Sequence, residues 1–399
     1  MKSEPSPDVA AAGITLSGRT LLVLGASVNQ VPVIQRAVQL GVRVITIDNT
    51  PTNPGHAMAA ASHAVDTTDL SAVLAVARRE SIHGILAAAT DVALPTAAGV
   101  AAALGLVGPP VSAVPPLVVK SRFRALQAEL GLPLPAAWAA GAAGRFIAKP
   151  CVGSGSRGAR IAEGADVEAA RDEAARISLD GAATVEVLLD GPQHTLEGMM
   201  YGGRVAAMLM TDRRTVPPPH VATCGHRVPS AAPPEVTAAL MAQIEAVFAA
   251  LNYRDGPFDA DAVAAAGGPV LLELTPRAGG NAMMRLMEVA TGADYRGALI
   301  AHALGVAGPP LTPFFPRPTA VEIFGADRDG TLHWDRAGLD ALRREPWVAH
   351  IHIDLAPRAE VRRFTDGRAR IGEVIVTGAV ADLDSRLVET RARLGLLVR

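Results

Sequence analysis

The chain has 399 residues, too many for one ordinary core and suited to two or three domains. Hydrophobic residues make up 49% of it, much of that alanine, and a mean hydropathy of +0.26 fits a folded, soluble chain rather than a membrane span. A net charge of −2 supplies no basic field for nucleic acid, and the two cysteines, Cys151 and Cys224, lie far apart without metal-ligand spacing, which fits a reducing cytoplasm.

Residues 1–16 read as a disordered tail, with no sustained apolar run behind Lys2 to act as a secretory signal. From Arg19 the pattern turns to alternating strand and helix. TLLVLGAS is a buried strand ending in Gly25, VPVIQRAVQLG an amphipathic helix ending at Gly41, and VRVITIDN a strand ending in Asp48. The helix SAVLAVARRESI, the strand GILAAAT with Asp91 behind it, and a helix over 94–104 follow. Short links between alternating β and α elements predict a parallel sheet covered by helices. Gly25 with an acid at Asp48 has the outline of a dinucleotide fingerprint, but GASVNQ lacks its second and third glycines. Gly25 is therefore read as permitting a tight turn, and Asp48 and Asp91 as strand-end acids that cap helices or border a cleft.

The Pro-rich segment 108–116 marks a boundary, after which a helix over 117–130 carries Lys120, Arg122 and Arg124. Next, GRFIAKPCVGSGSRGARIA reads as a strand that delivers Lys149, a loop with Gly153, Ser154, Gly155, Ser156 and Gly158, and a return strand. Glycines let backbone N–H groups turn inward, and such a nest holds phosphate oxygens. The lysine precedes the glycines, so this is not a Walker loop. Of 37 basic side chains only Lys2, Lys120 and Lys149 are lysines. Lysine is a compact point charge and arginine a planar fork, so the two internal lysines invite a specific role.

After a helix over 166–177, TVEVLLDGPQHTLEGMMYGGRVAAMLMTDR reads as antiparallel sheet. Glu186 stands where a strand leaves that sheet, and Gln193, His194 and Glu197 are polar positions on a strand that otherwise reads as core. Residues 213–230 are irregular and Pro-rich, the pattern of a lid or binding segment. A helix over 237–251 feeds a hairpin with strands at 257–263 and 269–274. With its turn near Gly267, Asp261 lies opposite Glu273; Asp259, Asp261 and Val263 share a face, as do Leu271, Glu273 and Thr275. Carboxylates facing each other at roughly 5 Å repel. A divalent cation that also binds phosphates removes the conflict, and Mg2+ suits few protein carboxylates. MMRLMEVATG, with Arg285 and the core residues Met283, Met284 and Met287, and YRGALIAHALG are helices. The tail from about 309 is an α+β unit ending in a helix over 382–394, too small for a second catalytic centre.

Lys120 at its helix start, IAKP with Lys149, the GSGSRG loop, VEVLLDGP with Glu186, Asp261 and ELTPRAGGN follow one another in a specific order. In that order they resemble the ATP-grasp ligases of the carbamoyl-phosphate-synthetase-like branch, L-amino acid ligases among them. Members join a carboxylic acid to an amine through an acyl phosphate. The resemblance covers about 20–310 strongly, and the tail resembles the small closing domain of that branch. It implies an α/β plus α+β architecture: a parallel Rossmann-like sheet over 17–112, a two-subdomain ATP-grasp domain over 113–308 and a small α+β domain over 309–399.

The same resemblance implies ATP with Mg2+ or Mn2+. It places Lys120 and Lys149 on the phosphates and adenine side, the glycine-rich loop over the phosphates, Glu186 at the adenine hinge and Gln193 or His194 near the ribose. Asp261 and Glu273 would hold the metal. Thr275 stands where the family's Glu-x-Asn-Pro-Arg motif has asparagine, so its place as a metal ligand is open. Arg277 would stabilise the phosphoryl group in flight, and Arg277 and Arg285 would clamp a substrate carboxylate. Gly279, Gly280 and Asn281 offer donors to the substrate, and Glu197 joins them as a substrate contact. The partners are small-molecule carboxylates and amines, with neither nucleic acid nor membrane; a homodimer is left open, and the location is the cytoplasm.

A carboxylate is a poor electrophile and must be activated. Positioning and electrostatics dominate phosphoryl transfer, so no nucleophilic serine or cysteine is required. The leading expectation is an ATP-dependent carboxylate–amine ligase that forms an amide, as in a dipeptide or natural product. The alternatives are a purine-pathway-like carboxylase that uses carboxyphosphate, a non-catalytic nucleotide binder and, further off, a dehydrogenase.

Overall fold

A computed structural model describes residues 16–311 and 316–399. The expected tail lies outside the described residues except for Leu16, which is folded: it is buried, and its N–H donates to the Leu40 carbonyl.

β1 (Thr20–Leu24), β2 (Arg43–Ile47), β3 (Ala61–His63) and β4 (Gly84–Ala87) form a parallel sheet in the order β3-β2-β1-β4, in which β1, β2 and β4 are near-continuous apolar runs and the short β3 is a half-exposed edge. The helices α1 (Val31–Gln39), α2 (Leu70–Arg79) and α3 (Leu94–Leu104) accompany it. Strands buried on both faces read this way because helices cover a parallel sheet on both sides. Gly25 closes β1 with φ +93°, and a Cβ there would meet the Gln30 side chain at 2.9 Å. Asp48 accepts from the N–H of Ala26 and Thr50 and from Asn53, so this acid builds the turn.

Two short helices, α4 (Val114–Val118) and α5 (Lys120–Glu129), lead to a small sheet of β5 (Arg145–Pro150), β6 (Arg160–Glu163) and β7 (Ala183–Val187), in the order β6-β5-β7. α6 (Asp166–Ile177) packs on it through Val167, Ala170 and Ala174 against Phe146, Ala148 and Ala162.

The main sheet is built from β8 (Gln193–Tyr201), β9 (Arg204–Thr215), β10 (Thr223–Val228), β11 (Gly256–Ala265) and β12 (Gly268–Thr275). One face carries Leu196, Met210, Ala260, Ala262, Leu271 and Leu274 against α7 (Pro234–Ala250). The other face packs Met199, Ala207 and Leu209 against α8 (Met283–Thr291) and α9 (Tyr295–Ala303). The segment 213–230 departs from the expected irregular lid. β9 runs on to Thr215 and β10 pairs with it from Thr223, leaving 216–222 and 229–230 outside strands. Prolines in the middle hid a short strand whose alternation is broken by a register shift between Thr223 and Gly225.

The C-terminal residues also differ from the expected separate unit. β13 (Thr319–Gly325) pairs with β10, and with β15 at Val348–Ile353 and β17 at Arg370–Thr377 the sheet continues without a break in the order β12-β11-β8-β9-β10-β13-β17-β15. Between and beyond these lie β14 (Gly330–His333), α10 (Arg336–Leu342), β16 (Glu360–Val361), α11 (Leu383–Leu394) and β18 (Leu397–Val398). Phe324, Leu332, Leu342, Ile371, Val374 and Leu394 give this end a core of its own. No helix among the described residues is long and apolar enough to cross a membrane.

Glu373 on β17 is buried and accepts from Arg370, with His350 beside it. Burial opposes its charge, yet the His350 contact and the Arg370 charge prevail and hold its pKa down to about 2. A carboxyl with a lowered folded pKa stabilises above its unfolded pKa and loses that contribution as pH falls through the folded value. Glu373→Gln is therefore expected to cost roughly 2–3 kcal/mol at neutral pH. Urea unfolding should show that gap closing as the pH falls from about 5 towards about 2. A gap that stays constant with pH would refute the assignment.

Candidate active site

The register of β11 and β12 sets Asp261 opposite Glu273 and Asp259 opposite Thr275. A bulge after Asp261 leaves Leu272 unpaired and sets Ala262 opposite Leu271. Leu271 therefore turns into the core with Leu274, not onto the face of Glu273 as expected. The two acids carry their own counter-charges: Lys120 Nζ lies 3.2 Å from Glu273, and Arg213 lies 3.1 Å from Asp261. Asp261 also accepts from the Thr195 hydroxyl at 2.6 Å. Desolvation works against the Glu273 charge, but Lys120 and then Lys149 hold its pKa down to about 2, so it is ionised across the ordinary pH range. The Thr275 hydroxyl donates to the Asp259 carbonyl at 3.3 Å, which engages the group that stands in the asparagine position. Among the described residues no three His, Cys, Asp or Glu side chains are grouped to hold a metal ion. The donor set fits Mg2+ shared with phosphates, which needs only one or two carboxylates, better than an all-protein cage.

Lys120 opens α5, where its N–H donates to the Cys151 carbonyl. Burial disfavours its charge, but Glu273 and Asp91 raise its pKa on balance. Lys149 comes from β5, buried, with its Nζ 3.1 Å from Glu186. Burial lowers its pKa in spite of that carboxylate. Glu186 is 3% exposed and takes a two-pronged grip from Arg124 at 2.7 and 3.1 Å. It is thus a counter-ion for two cations, and its carboxylate has little surface to offer an adenine.

The loop of Gly153, Ser154, Gly155, Ser156 and Gly158 joins β5 to β6, with positive φ at Gly155, Ser156 and Gly158. It is held at two places. The Ser156 hydroxyl donates to the Val221 carbonyl at 3.4 Å, and the Gly367 N–H donates to the Gly155 carbonyl at 3.0 Å.

Arg277 bridges the parallel sheet to the main one. It binds Asp91, which follows β4, and Asp259 on β11. Burial pulls against its charge, but these two carboxylates raise its pKa well above the usual value. Behind it, Gly279 donates its N–H to Glu197 at 2.8 Å. Gly279, Gly280 and Arg285 line a cavity with Val28, Asn29 and Glu373, and Asn281 adjoins it with φ +50°. Arg285 makes no ion pair or hydrogen bond among the described residues, and its buried Nε lacks a partner. Burial and then Arg296 lower its pKa.

Two expected contacts are displaced. His194 is buried on the α7 face, paired opposite Ala262, whereas Asp261 looks out from the other face. It cannot reach a ribose there; of the expected pair, Gln193 is the one on the Asp261 face, where it meets Arg213. Glu197 is 0% exposed, so no substrate can touch it. The sequence reading passed over Arg213 and Tyr295 and gave Arg124 no role. Arg213 was available from strand alternation with Thr211, since the sheet pattern already ran to it. Arg124 was available from its helical spacing to Lys120.

No family model matches the sequence. In fold, the chain is similar to L-amino acid ligase from Bacillus licheniformis, with a TM-score of 0.81, 17% identity and coverage of 96% of this chain and 99% of that one. It is also similar to the biotin carboxylase domain of Hydrogenobacter thermophilus 2-oxoglutarate carboxylase in complex with MgADP, ADP and bicarbonate, with a TM-score of 0.73, 16% identity and coverage of 95% and 91%. The chain has the ATP-grasp fold. In sequence, it is 28% identical over 396 residues to the formate-dependent phosphoribosylglycinamide formyltransferase of Burkholderia cenocepacia, covering 92% of each chain.

Proposed function

We propose that the protein is an ATP-dependent carboxylate–amine ligase that makes an amide through an acyl phosphate and releases ADP and phosphate. One observation carries this reading: Asp261 and Glu273 face each other in register with Lys120 and Arg213 against them and Lys149 nearby. Mg2+, when bound by Asp261 and Glu273, supplies charge neutralisation for the phosphates. Lys120 and Lys149 bring point charges to the phosphate side, and the glycine loop brings backbone donors. Arg277 is held in one orientation by Asp91 and Asp259, so it stands between the two sheets without reorganisation cost. With its charge already met by Asp91 and Asp259, Arg277 fixes the junction of the two sheets beside the phosphate side rather than supplying a free charge for a second carboxylate.

The cavity at Arg285 favours an amino acid over a phosphoribosyl substrate. Its other arginine, Arg370, is already paired with Asp354 and Glu373. That leaves Arg285 to meet a singly charged carboxylate, while a phosphate dianion would face Glu373 with too little positive charge. The likeness to an L-amino acid ligase in fold supports the same reading. The experiment is ADP release with ATP and Mg2+ in three arms: pooled amino acids, bicarbonate, and formate with phosphoribosylglycinamide. Release with amino acids, with an amide product by mass spectrometry, is the expected result. Release only with bicarbonate or formate would move the reaction class. Nucleotide binding without release in any arm would leave a non-catalytic binder.

A further inference from the structure

Glu197 lies in the middle of β8, directly opposite Asp259, with none of its surface exposed. A carboxyl removed from water must have its oxygens satisfied. Oε2 accepts from the Gly279 N–H at 2.8 Å, and Oε1 lies 2.5 Å from Tyr295 Oη. Tyr295, fully buried on α9, lies 3.2 Å from the Gly198 carbonyl as well. Burial first and the Asp259 charge second hold the Glu197 carboxyl well above the ordinary range. The Tyr295 hydroxyl donates to Glu197 Oε1 and also lies against the Gly198 carbonyl, while the Gly279 N–H donates to Oε2, so both carboxyl oxygens are held by donors from other elements.

Gly279 fits because it has no side chain; a Cβ would collide with Glu197 Oε2 and Asp259 Oδ1. Just beyond it, the backbone passes through φ +50° at Asn281 and +66° at Ala282. Residues other than glycine hold that conformation only where their surroundings impose it. The same turn starts α8 and so aims Arg285 at the cavity that it lines with Gly279 and Gly280.

We propose that Glu197 and Tyr295 are positioning residues: a buried hydrogen-bonded prop that fixes the backbone of Gly279 and Gly280 and, through it, the wall that presents Arg285 to substrate. What that wall recognises rests on the ligase reading; the prop itself does not. Tyr295→Phe removes one hydroxyl and keeps the ring, and Glu197→Leu removes both oxygens. Glu197→Gln can accept from Gly279 and donate to Tyr295, so it rebuilds the set.

Hydrogen–deuterium exchange on the full chain tests the prop directly. The peptide 277–284 should exchange about tenfold faster in Tyr295→Phe and Glu197→Leu, while strands of the parallel sheet keep their protection and Glu197→Gln restores it. In the ADP-release assay with pooled amino acids, the apparent KM for amino acids should rise about tenfold in the first two variants, with KM for ATP unchanged and rescue by glutamine. A general loss of structure would instead move both KM values and resist rescue. Unchanged exchange in Tyr295→Phe, failure of the glutamine to rescue, or KM for ATP rising in step would overturn the proposal. If the wild-type chain releases no ADP, the ligase reading falls and the exchange result alone decides the prop.

Discussion

Glu273→Gln should lower kcat by about a thousandfold, about 4 kcal/mol of barrier, and leave the fold intact. The amide has the shape of the carboxylate and none of its charge. Glu273 is held ionised by Lys120 at 3.2 Å and sits in register with Asp261, so the pair offers two negative charges on one face. Removing one leaves Asp261 with Arg213 already against it, and little net charge to attract Mg2+. Folding should survive because the Glu273 side chain is 41% exposed, so water solvates the amide, and Asp91 remains as a counter-charge for Lys120. ADP release measured over a Mg2+ titration distinguishes the outcomes. The variant should need far more Mg2+ for half-maximal rate, with unchanged urea unfolding. Activity within tenfold of wild type at ordinary Mg2+ would remove Glu273 from the reaction centre.

The Asp261–Glu273 pairing was legible because a tight turn near Gly267 fixes hairpin register. Its immediate detail was not. The bulge at Leu272 shifts parity by one residue, so Leu271 enters the core while Glu273 keeps its face. No residue type announces that shift. The position of His194 was legible and missed: it shares parity with Leu196, a core residue, whereas Thr195 and Glu197 share parity with each other on the opposite face. The burial of Glu197 was not legible, since its two partners, Gly279 and Tyr295, are 82 and 98 residues away. The pairing of β10 with β13 was hidden in the same way. Strand pairing across long chain separations leaves no local pattern, so a tail that folds around its own core read as a separate unit although it extends the main sheet.

Glu186→Leu should cost about 3–5 kcal/mol of stability, because it leaves two buried cations without a counter-ion. Glu186 is 3% exposed; Arg124 grips both its oxygens and Lys149 bonds one of them at 3.1 Å. Leucine fills much of the volume, so cavity formation is a minor part of the loss. The dominant cost is Arg124 beside Lys149 with no negative charge between them, where both side chains are about nine-tenths buried and water screens them little. Lys149 already has a lowered pKa from burial with Glu186 present, so without it the lysine should be driven further towards its neutral form. A neutral lysine cannot serve phosphate, so binding of a fluorescent ADP analogue with Mg2+ should weaken at least tenfold even where the variant remains folded. Glu186→Gln should fall between, because the amide oxygen still accepts from one cation while the charge is gone. Urea unfolding and ADP-analogue titration on the three proteins order them by charge if the counter-ion role is right. A Glu186→Leu variant as stable as wild type would show that Arg124 and Lys149 find other partners, and that Glu186 serves the nucleotide directly, as the ATP-grasp resemblance implied.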